Sequence, residues 1–159
     1  MMKILLSGAA GGHLDELLSI KPAFDNHNIA LVTTKNDITK NLDGRVYYIP
    51  EFIGNVDKGR TIIYIQLFLY YIILTYYSLY ILIAEKPNLI VCCGGEASLW
   101  LTYLGKIMGM KVMYLETINR VTNLSLTGKF VYPFVDVFIV QWEGLLQKYP
   151  MAKFWGRVI

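Results

Sequence analysis

Two glycine-rich segments of the chain could bring backbone amide groups close to an anionic ligand. Gly11 and Gly12 follow a short apolar run and precede His13, and Gly94-Gly95 lies at a second junction of the same kind. Glycine permits close approach of a ligand, and the free amide groups at a helix start favour a phosphate. Neither segment has the spacing of a dinucleotide motif or a P-loop. We therefore predict phosphate binding by these glycines, with tight turns as the alternative.

Three polar side chains near these segments could carry out chemistry. His13 could act as a general base or donate a hydrogen bond to a phosphate, and it could equally be a turn residue without a role. Glu116 ends an apolar run and could orient a substrate hydroxyl, so His13 and Glu116 are the catalytic candidates. Arg120 could bind phosphate, although a structural ion pair between Glu116 and Arg120 fits the sequence equally well.

The composition excludes several classes of protein. Apolar residues make up 55% of the chain and charged residues 17%, so some apolar surface must face lipid or a partner. The net charge of +3 is spread along the chain, which argues against nucleic-acid binding. Cys92 and Cys93 are adjacent in an apolar run, where their side chains would point to opposite faces. We predict no disulfide, metal or cofactor, and we expect no signal peptide.

The elements that must position these residues alternate between strands and helices, which is typical of a parallel α/β sheet. We predict one doubly wound, Rossmann-like α/β domain over residues 1–159. The carboxyl edge of such a sheet binds ligands, and all three candidate clusters fall there. The expected strands are Lys3–Ser7, Ile29–Thr33, Val46–Ile49, Asn88–Cys93, Lys111–Leu115 and Val137–Gln141. The expected helices are His13–Lys21, Ile38–Leu42, Thr61–Ala84, Ala97–Met108 ended by Gly109, one within Leu124–Val131, and Glu143–Lys148.

The helix Thr61–Ala84 contains no charged residue and is long enough to cross a bilayer. Its flanking strands belong to one predicted sheet, however, and a spanning helix would separate them. Six tyrosines are scattered along it, and tyrosine prefers the membrane interface. We therefore favour an interfacial helix with one face on the sheet and the other in the membrane interface. A true span and a helix covered wholly by protein are the alternatives.

These segments together resemble a known family, over nearly the whole chain. It is the small, membrane-associating subunit of the two-component N-acetylglucosaminyltransferase that adds the second sugar to dolichol-linked oligosaccharide, with its bacterial relatives in capsule and exopolysaccharide synthesis. The most specific matches are Leu124-Ser125-Leu126-Thr127-Gly128-Lys129 and Val140-Gln141-Trp142-Glu143. Further matches are Ser7, Gly11-Gly12-His13, Glu16, Gly94-Gly95, Glu116 and Arg120-Val121.

The resemblance implies the amino-terminal half of a GT-B glycosyltransferase divided between two chains. A separate subunit would bind the UDP-sugar, and this chain would face the membrane and a polyprenyl-diphosphate-linked saccharide. The alternative is a non-catalytic anchor that recruits the donor-binding subunit. The apolar tail residues Trp155, Val158 and Ile159 would contact that partner, or the tail could add a last strand to the sheet. The absence of the amino-terminal anchor helix of eukaryotic members favours a bacterial enzyme at the cytoplasmic face of the membrane.

Overall fold

The computed structural model describes residues 1–52 and 60–158, which form a seven-stranded parallel sheet in the order β3-β2-β1-β4-β5-β6-β7. All six strand pairings are parallel. The strands β2 and β3 lie on one side of β1, and β4 to β7 follow one another on its other side. The strands are β1 Lys3–Gly8, β2 Asn28–Thr34, β3 Arg45–Ile49, β4 Leu89–Cys93, β5 Lys111–Leu115, β6 Val137–Val140 and β7 Ala152–Phe154.

The central strands form because nearly every side chain in them is buried. In β1 the residues from Ile4 to Gly8 are all buried, and β4 is buried from Ile90 to Cys93. Successive side chains point to opposite faces, so these strands contribute to two separate cores. Leu5, Ile90 and Cys92 pack on the face that carries the long helix, whereas Leu6 and Cys93 pack on the opposite face.

The described α-helices are α1 Gly12–Ile20, α2 Arg60–Glu85, α3 Glu96–Ile107 and α4 Leu126–Val131. Two 3-10 helices are described as well, at Lys21–Phe24 after α1 and at Glu143–Gln147, where the sequence predicts a helix over Glu143–Lys148. The expected helix over residues 38–42 is wrong. Asn36 Oδ1 accepts the amides of Ile38 and Thr39 at 3.0 and 2.9 Å, and this local bonding gives a turn instead. Gly109 follows α3 with a φ of +78°, as expected of a glycine after a helix end.

The long helix α2 lies along the sheet as the crossover between β3 and β4. Its buried residues recur at helical spacing on one face and include Tyr70, Leu74, Ile81 and Leu82. The helix is long and apolar enough to cross a membrane. Both of its ends, however, join strands of the same sheet. This geometry favours the interfacial placement. Its large apolar side chains outside the buried face are exposed: Ile62, Tyr64, Ile65, Phe68, Leu69, Tyr71, Ile72, Ile73, Tyr76, Tyr77, Leu79, Tyr80 and Ile83.

Candidate functional site

The candidate site lies at the carboxyl ends of β1 and β4, where the order of the strands reverses. In open α/β sheets, ligands bind in the crevice at such a switch point. The segments that follow the two strands contain Gly11-Gly12 and Gly94-Gly95 and lead into α1 and α3. No side chain caps either helix, so amide groups of the first turn have no side-chain partner there. The structure therefore brings together the two glycine segments that the sequence singled out.

The two segments are in direct contact, and His13 is part of that contact. A Cβ on Gly94 would overlap the imidazole ring of His13, and a Cβ on Gly95 would lie 2.9 Å from the Cβ of Ala9. Gly94 also has a φ of +57°, in the left-handed region that favours glycine. Ser98 Oγ adds a link by donating to the carbonyl of Ser7 at 3.1 Å. These contacts explain why glycine stands at position 94.

His13 is half-buried between the two segments. Burial lowers the pKa of its imidazole, the nearby charge of Glu16 opposes this effect, and Arg120 adds to it. A lowered pKa keeps the ring neutral near pH 7, which is the state that a general base requires. Its Nδ1 lies 3.8 Å from the Sγ of Cys93. The position and protonation state of His13 both suit proton acceptance.

Glu116, the second catalytic candidate, is buried with only 1% of its surface exposed. One oxygen accepts the amide of Thr117 at 3.1 Å, and the other accepts the amide and hydroxyl of Ser125 at 3.0 and 3.1 Å. A Cβ on Gly128 would overlap this second oxygen. Burial raises the pKa of the carboxyl, and the hydrogen bonds from Ser125 and Thr117 oppose that effect. Glu116 thus holds the segment before α4 in place through Ser125, and each of its carboxylate oxygens already accepts at least one hydrogen bond.

A second buried carboxylate, Glu16, lies behind the site. It is three residues after His13 on α1, and it accepts hydrogen bonds from Thr117 Oγ1 at 2.6 Å and Gln141 Nε2 at 2.6 Å. The resemblance included Glu16 and Gln141, but the residue pattern alone did not make either of them a candidate site residue. The available signal for Glu16 was its spacing from His13, since residues three apart share a helix face.

His13, Glu16 and Cys93 place three possible metal ligands within 4.8 Å of one another. Burial, with the neighbouring charges of Glu16 and Glu116, strongly raises the pKa of the Cys93 thiol. The thiol therefore carries its proton and donates to Glu16 Oε2 at 3.7 Å. Because metal ligation requires the thiolate, this environment favours a hydrogen bond from the protonated thiol over metal ligation. We assign no metal to it.

A cleft of about 340 Å³ opens on the α2 side of the glycine segments. Ala9, Ala10 and Gly95 form its backbone wall, and Thr34, Glu96 and Tyr70 contribute polar groups. Arg120 lies on the other side of the edge, exposed and close enough for its charge to affect His13. The site thus has a cationic side beside His13 and a side with carboxylates beside α2.

The structure places the predicted partner residues in a short segment after β7. Trp155 is 62% exposed, whereas Val158 is half-buried against the second core, and its amide donates to Gln141 Oε1 at 2.9 Å. Ile159 lies outside the described residues. The sequence left open a last strand formed by the tail. The strand β7 at Ala152–Phe154 pairs with β6, but residues 155–158 after it form no strand. The tail therefore provides an exposed aromatic side chain.

This fold and edge define the chain as a Rossmann-like α/β protein with two glycine-rich segments in contact at the switch point of the sheet. The chain belongs to the family described as "Oligosaccharide biosynthesis protein Alg14 like", which it matches over residues 3–158. The mouse protein named "UDP-N-acetylglucosamine transferase subunit ALG14" is 26% identical and aligns with 99% of this chain and 83% of its own length. The Schizosaccharomyces pombe protein of the same name is 43% identical over 45% of this chain and 37% of its own length. These relatives are eukaryotic and give no support to the expected bacterial origin.

Solved structures with the same fold include MurG from Acinetobacter baumannii. It superposes with a TM-score of 0.69 at 14% identity, over 91% of this chain and 43% of that one. The UDP-GlcNAc 2-epimerase of Methanocaldococcus jannaschii superposes with a TM-score of 0.68 at 16% identity, over 98% and 46%. The chain spans less than half the length of either structure. The expected α/β, Rossmann-like doubly wound fold is confirmed.

Proposed function

We propose that this chain is the acceptor-side subunit of a two-subunit glycosyltransferase at the cytoplasmic face of a membrane. A partner subunit binds the UDP-sugar, and the complex transfers the sugar to a polyprenyl-diphosphate-linked saccharide. The observation that carries the proposal is the meeting of two glycine-rich helix starts with His13 at the switch point. Family membership and the names of the relatives support the same reaction class.

The exposed face of α2 supports a lipid-linked acceptor. This face carries large apolar and tyrosine side chains, such as Tyr64 and Phe68, which are 68% and 66% exposed. An apolar surface of this extent on a small domain marks a membrane or protein contact. Because tyrosine suits the membrane interface, we assign this face to lipid, with α2 lying in the plane of the membrane.

The chemistry requires anion binding and proton removal from this chain. The amides of the two glycine segments, together with Arg120, hold the acceptor diphosphate. The acceptor hydroxyl oxygen then attacks the anomeric carbon of the donor while the bond to UDP breaks, and UDP leaves with the electron pair. His13 takes the hydroxyl proton. We assign this step to His13 rather than Glu116, whose oxygens are engaged by Thr117 and Ser125, and Glu116 becomes a positioning residue.

The test is transfer by the purified complex of this chain and its donor-binding partner. UDP-N-acetylglucosamine is the first donor to test, because the relatives' names contain it. The acceptor is a short-chain polyprenyl-diphosphate-linked N-acetylglucosamine, and capsule-type acceptors are tested in parallel. We expect His13→Ala to lower kcat by about 100-fold or more, the usual contribution of a general base. Tyr103→Phe removes an exposed hydroxyl that bonds the Phe130 carbonyl and is the control.

The second candidate function, a non-catalytic anchor, predicts a different result. Trp155 is exposed on the tail and supports recruitment of a partner. If the chain only recruits the catalytic subunit, His13→Ala transfers sugar at the wild-type rate, whereas removal of residues 155–159 abolishes complex formation. A wild-type complex that transfers no sugar from any UDP-sugar donor would refute both candidates.

A further inference from the structure

The side chain of Gln141 joins three segments that are distant in sequence. It follows β6 and is only 1% exposed. Its Nε2 donates to Glu16 Oε2 at 2.6 Å and to the Glu116 carbonyl at 3.1 Å, and its Oε1 accepts the amide of Val158 at 2.9 Å. One amide group thus connects α1, the end of β5 and the C-terminal tail.

The carboxylate of Glu16 extends this connection to the segment that carries Arg120. Its other oxygen accepts the hydroxyl of Thr117 at 2.6 Å and the amide of Ile118 at 3.3 Å. Residues 116–120, defined here as the acceptor segment, are therefore held against α1 by Glu16. A buried carboxylate that loses such partners is costly, so the bonds to Glu16 constrain the position of the segment.

Trp142 provides a second connection between the same two regions. Its Nε1 donates to the carbonyl of Ile118 at 2.6 Å, and the guanidinium of Arg157 lies 3.8 Å from the centre of its ring. The tail residues Arg157 and Val158 thus contact two adjacent residues, Trp142 and Gln141. Each of these bonds the acceptor segment directly or through Glu16.

We propose that Gln141 is a positioning residue that couples the C-terminal tail to the acceptor segment. The coupling means that a partner bound to the tail strengthens acceptor binding, and that the acceptor strengthens partner binding by the same factor. A glutamine suits this role because its amide donates to a carboxylate and accepts from a backbone amide at once. The inference rests on the proposed function, which supplies the partner and the acceptor.

The first experiment uses the single chain and changes the tail. Deletion of residues 157–159 removes the amide that Gln141 accepts and the cation on Trp142. We expect hydrogen exchange at the Ile118 amide to accelerate at least about five-fold, because this amide donates to Glu16. The Ser125 amide donates to Glu116 and is the internal control. Unchanged exchange at Ile118 would overturn the coupling.

Gln141→Met keeps the volume of the side chain and removes both kinds of hydrogen bond. It should accelerate exchange at the Ile118 and Val158 amides and leave Ser125 unchanged. If this variant does not fold, Trp142→Phe removes the bond to the Ile118 carbonyl while keeping a ring beneath Arg157. It should then produce the acceleration at Ile118. Exchange at Ile118 that matches the wild type in the folded variant contradicts the proposal.

The second experiment measures coupling in the complex. The Kd of the donor-binding partner for this chain is measured with and without the short-chain diphosphate-linked N-acetylglucosamine. In the wild type we expect the acceptor to lower this Kd at least about five-fold. Gln141→Met should remove this factor. Trp155→Ala is the matched control: it should weaken partner binding and keep the factor, since no polar link joins Trp155 to Gln141 among the described contacts.

The outcomes separate the two proposals. A wild-type chain that binds no donor-binding partner refutes the proposed function. A chain that binds its partner and transfers sugar, but shows the same acceptor effect on Kd in Gln141→Met as in the wild type, refutes only the coupling. Loss of the effect in both Gln141→Met and Trp155→Ala also refutes it, because the tail contact alone would then be responsible.

Discussion

Replacing Gly94 by alanine tests whether the glycine segment positions His13. The new Cβ would overlap three atoms of the His13 ring, so the ring must move. The φ of +57° adds a backbone cost of about 1–2 kcal/mol for any residue with a Cβ. In a chain of this length, that backbone cost corresponds to a fall in Tm of about 2–8 °C.

Gly109→Ala is the matched control for the backbone cost. Gly109 has a φ of +78°, and a Cβ there would meet no atom within 4 Å. The Tm should therefore fall by a similar amount in Gly109→Ala, while transfer remains at the wild-type rate. Gly94→Ala should lower kcat/KM by about 100-fold or more, because even a 1 Å displacement of a catalytic group costs that much.

Two assays measure these effects: thermal unfolding followed by circular dichroism, and sugar transfer by the reconstituted complex. NMR adds a readout that does not depend on activity, because the chain has two histidines and the ring signals of His13 and His27 can be distinguished. The His13 signals should shift in Gly94→Ala and not in Gly109→Ala. Full transfer activity in Gly94→Ala would refute the reasoning. An equal loss of activity in Gly94→Ala and Gly109→Ala would mean that lower stability, and not displacement of His13, reduces the transfer rate.

Three further predictions concern other parts of the chain. Since burial lowers the pKa of His13, kcat/KM should fall only as the pH drops through a value below 6.5. Arg120→Ala should move this acidic limb of the pH profile to higher pH, because the charge of Arg120 also lowers the pKa of His13. An acidic limb at or above pH 6.5 in the wild type would contradict the assignment. Burial raises the pKa of the Asp136 carboxyl, but the hydrogen bonds from Lys106, Val112 and Lys111 outweigh this effect and lower the pKa to about 2. The ionised Asp136 therefore stabilises the folded chain fully above pH 3.8, and this stabilisation is lost as the pH falls toward 2. The urea midpoint of Asp136→Asn should accordingly change less over this pH range than the midpoint of the wild type. Phe68→Glu should weaken binding to liposomes, measured by flotation, about ten-fold or more. Met151 is exposed outside α2, so Met151→Glu should leave this binding unchanged. An equal loss in both variants would contradict a specific lipid face on α2.

The sequence was sufficient to predict the first six of the seven strands because most of them are almost continuously apolar, whereas the three-residue strand β7 was not among the expected strands. Runs such as Ile4–Leu6 and Ile90–Cys93 are buried on both faces, and such runs admit few alternatives to a parallel sheet. The glycine segments were predictable for the same reason, since they follow the two central strands. The turn at residues 36–41 was not, because Asn36 side-chain bonds compete locally with a helix.

The roles of the buried carboxylates could not be predicted, because their partners lie far away in sequence. Glu16 bonds Thr117 and Gln141, which are 101 and 125 residues distant. Glu116 was a catalytic candidate because it ends a strand at the ligand edge, and that placement is correct. Only the fold reveals that Ser125 already occupies one of its oxygens. Residue type and position at an edge therefore indicate a candidate site, whereas the role of a side chain depends on which of its lone pairs remain free.

The distribution of burial along α2 relates the lipid face to the acceptor site. This helix follows β3 and precedes β4, so it begins at the carboxyl edge of the sheet and ends at the amino edge. No residue from Thr61 to Leu69 is buried, and Tyr70 is the first that is. At about 1.5 Å per residue, this opening part of the helix is roughly 14 Å long. Tyr70 also lines the cleft beside Gly95. The apolar surface that the described residues cover least thus adjoins the edge that would hold the diphosphate. A lipid-linked acceptor needs this arrangement, because its phosphates lie at the membrane surface, whereas an anchor without an acceptor role would not require it.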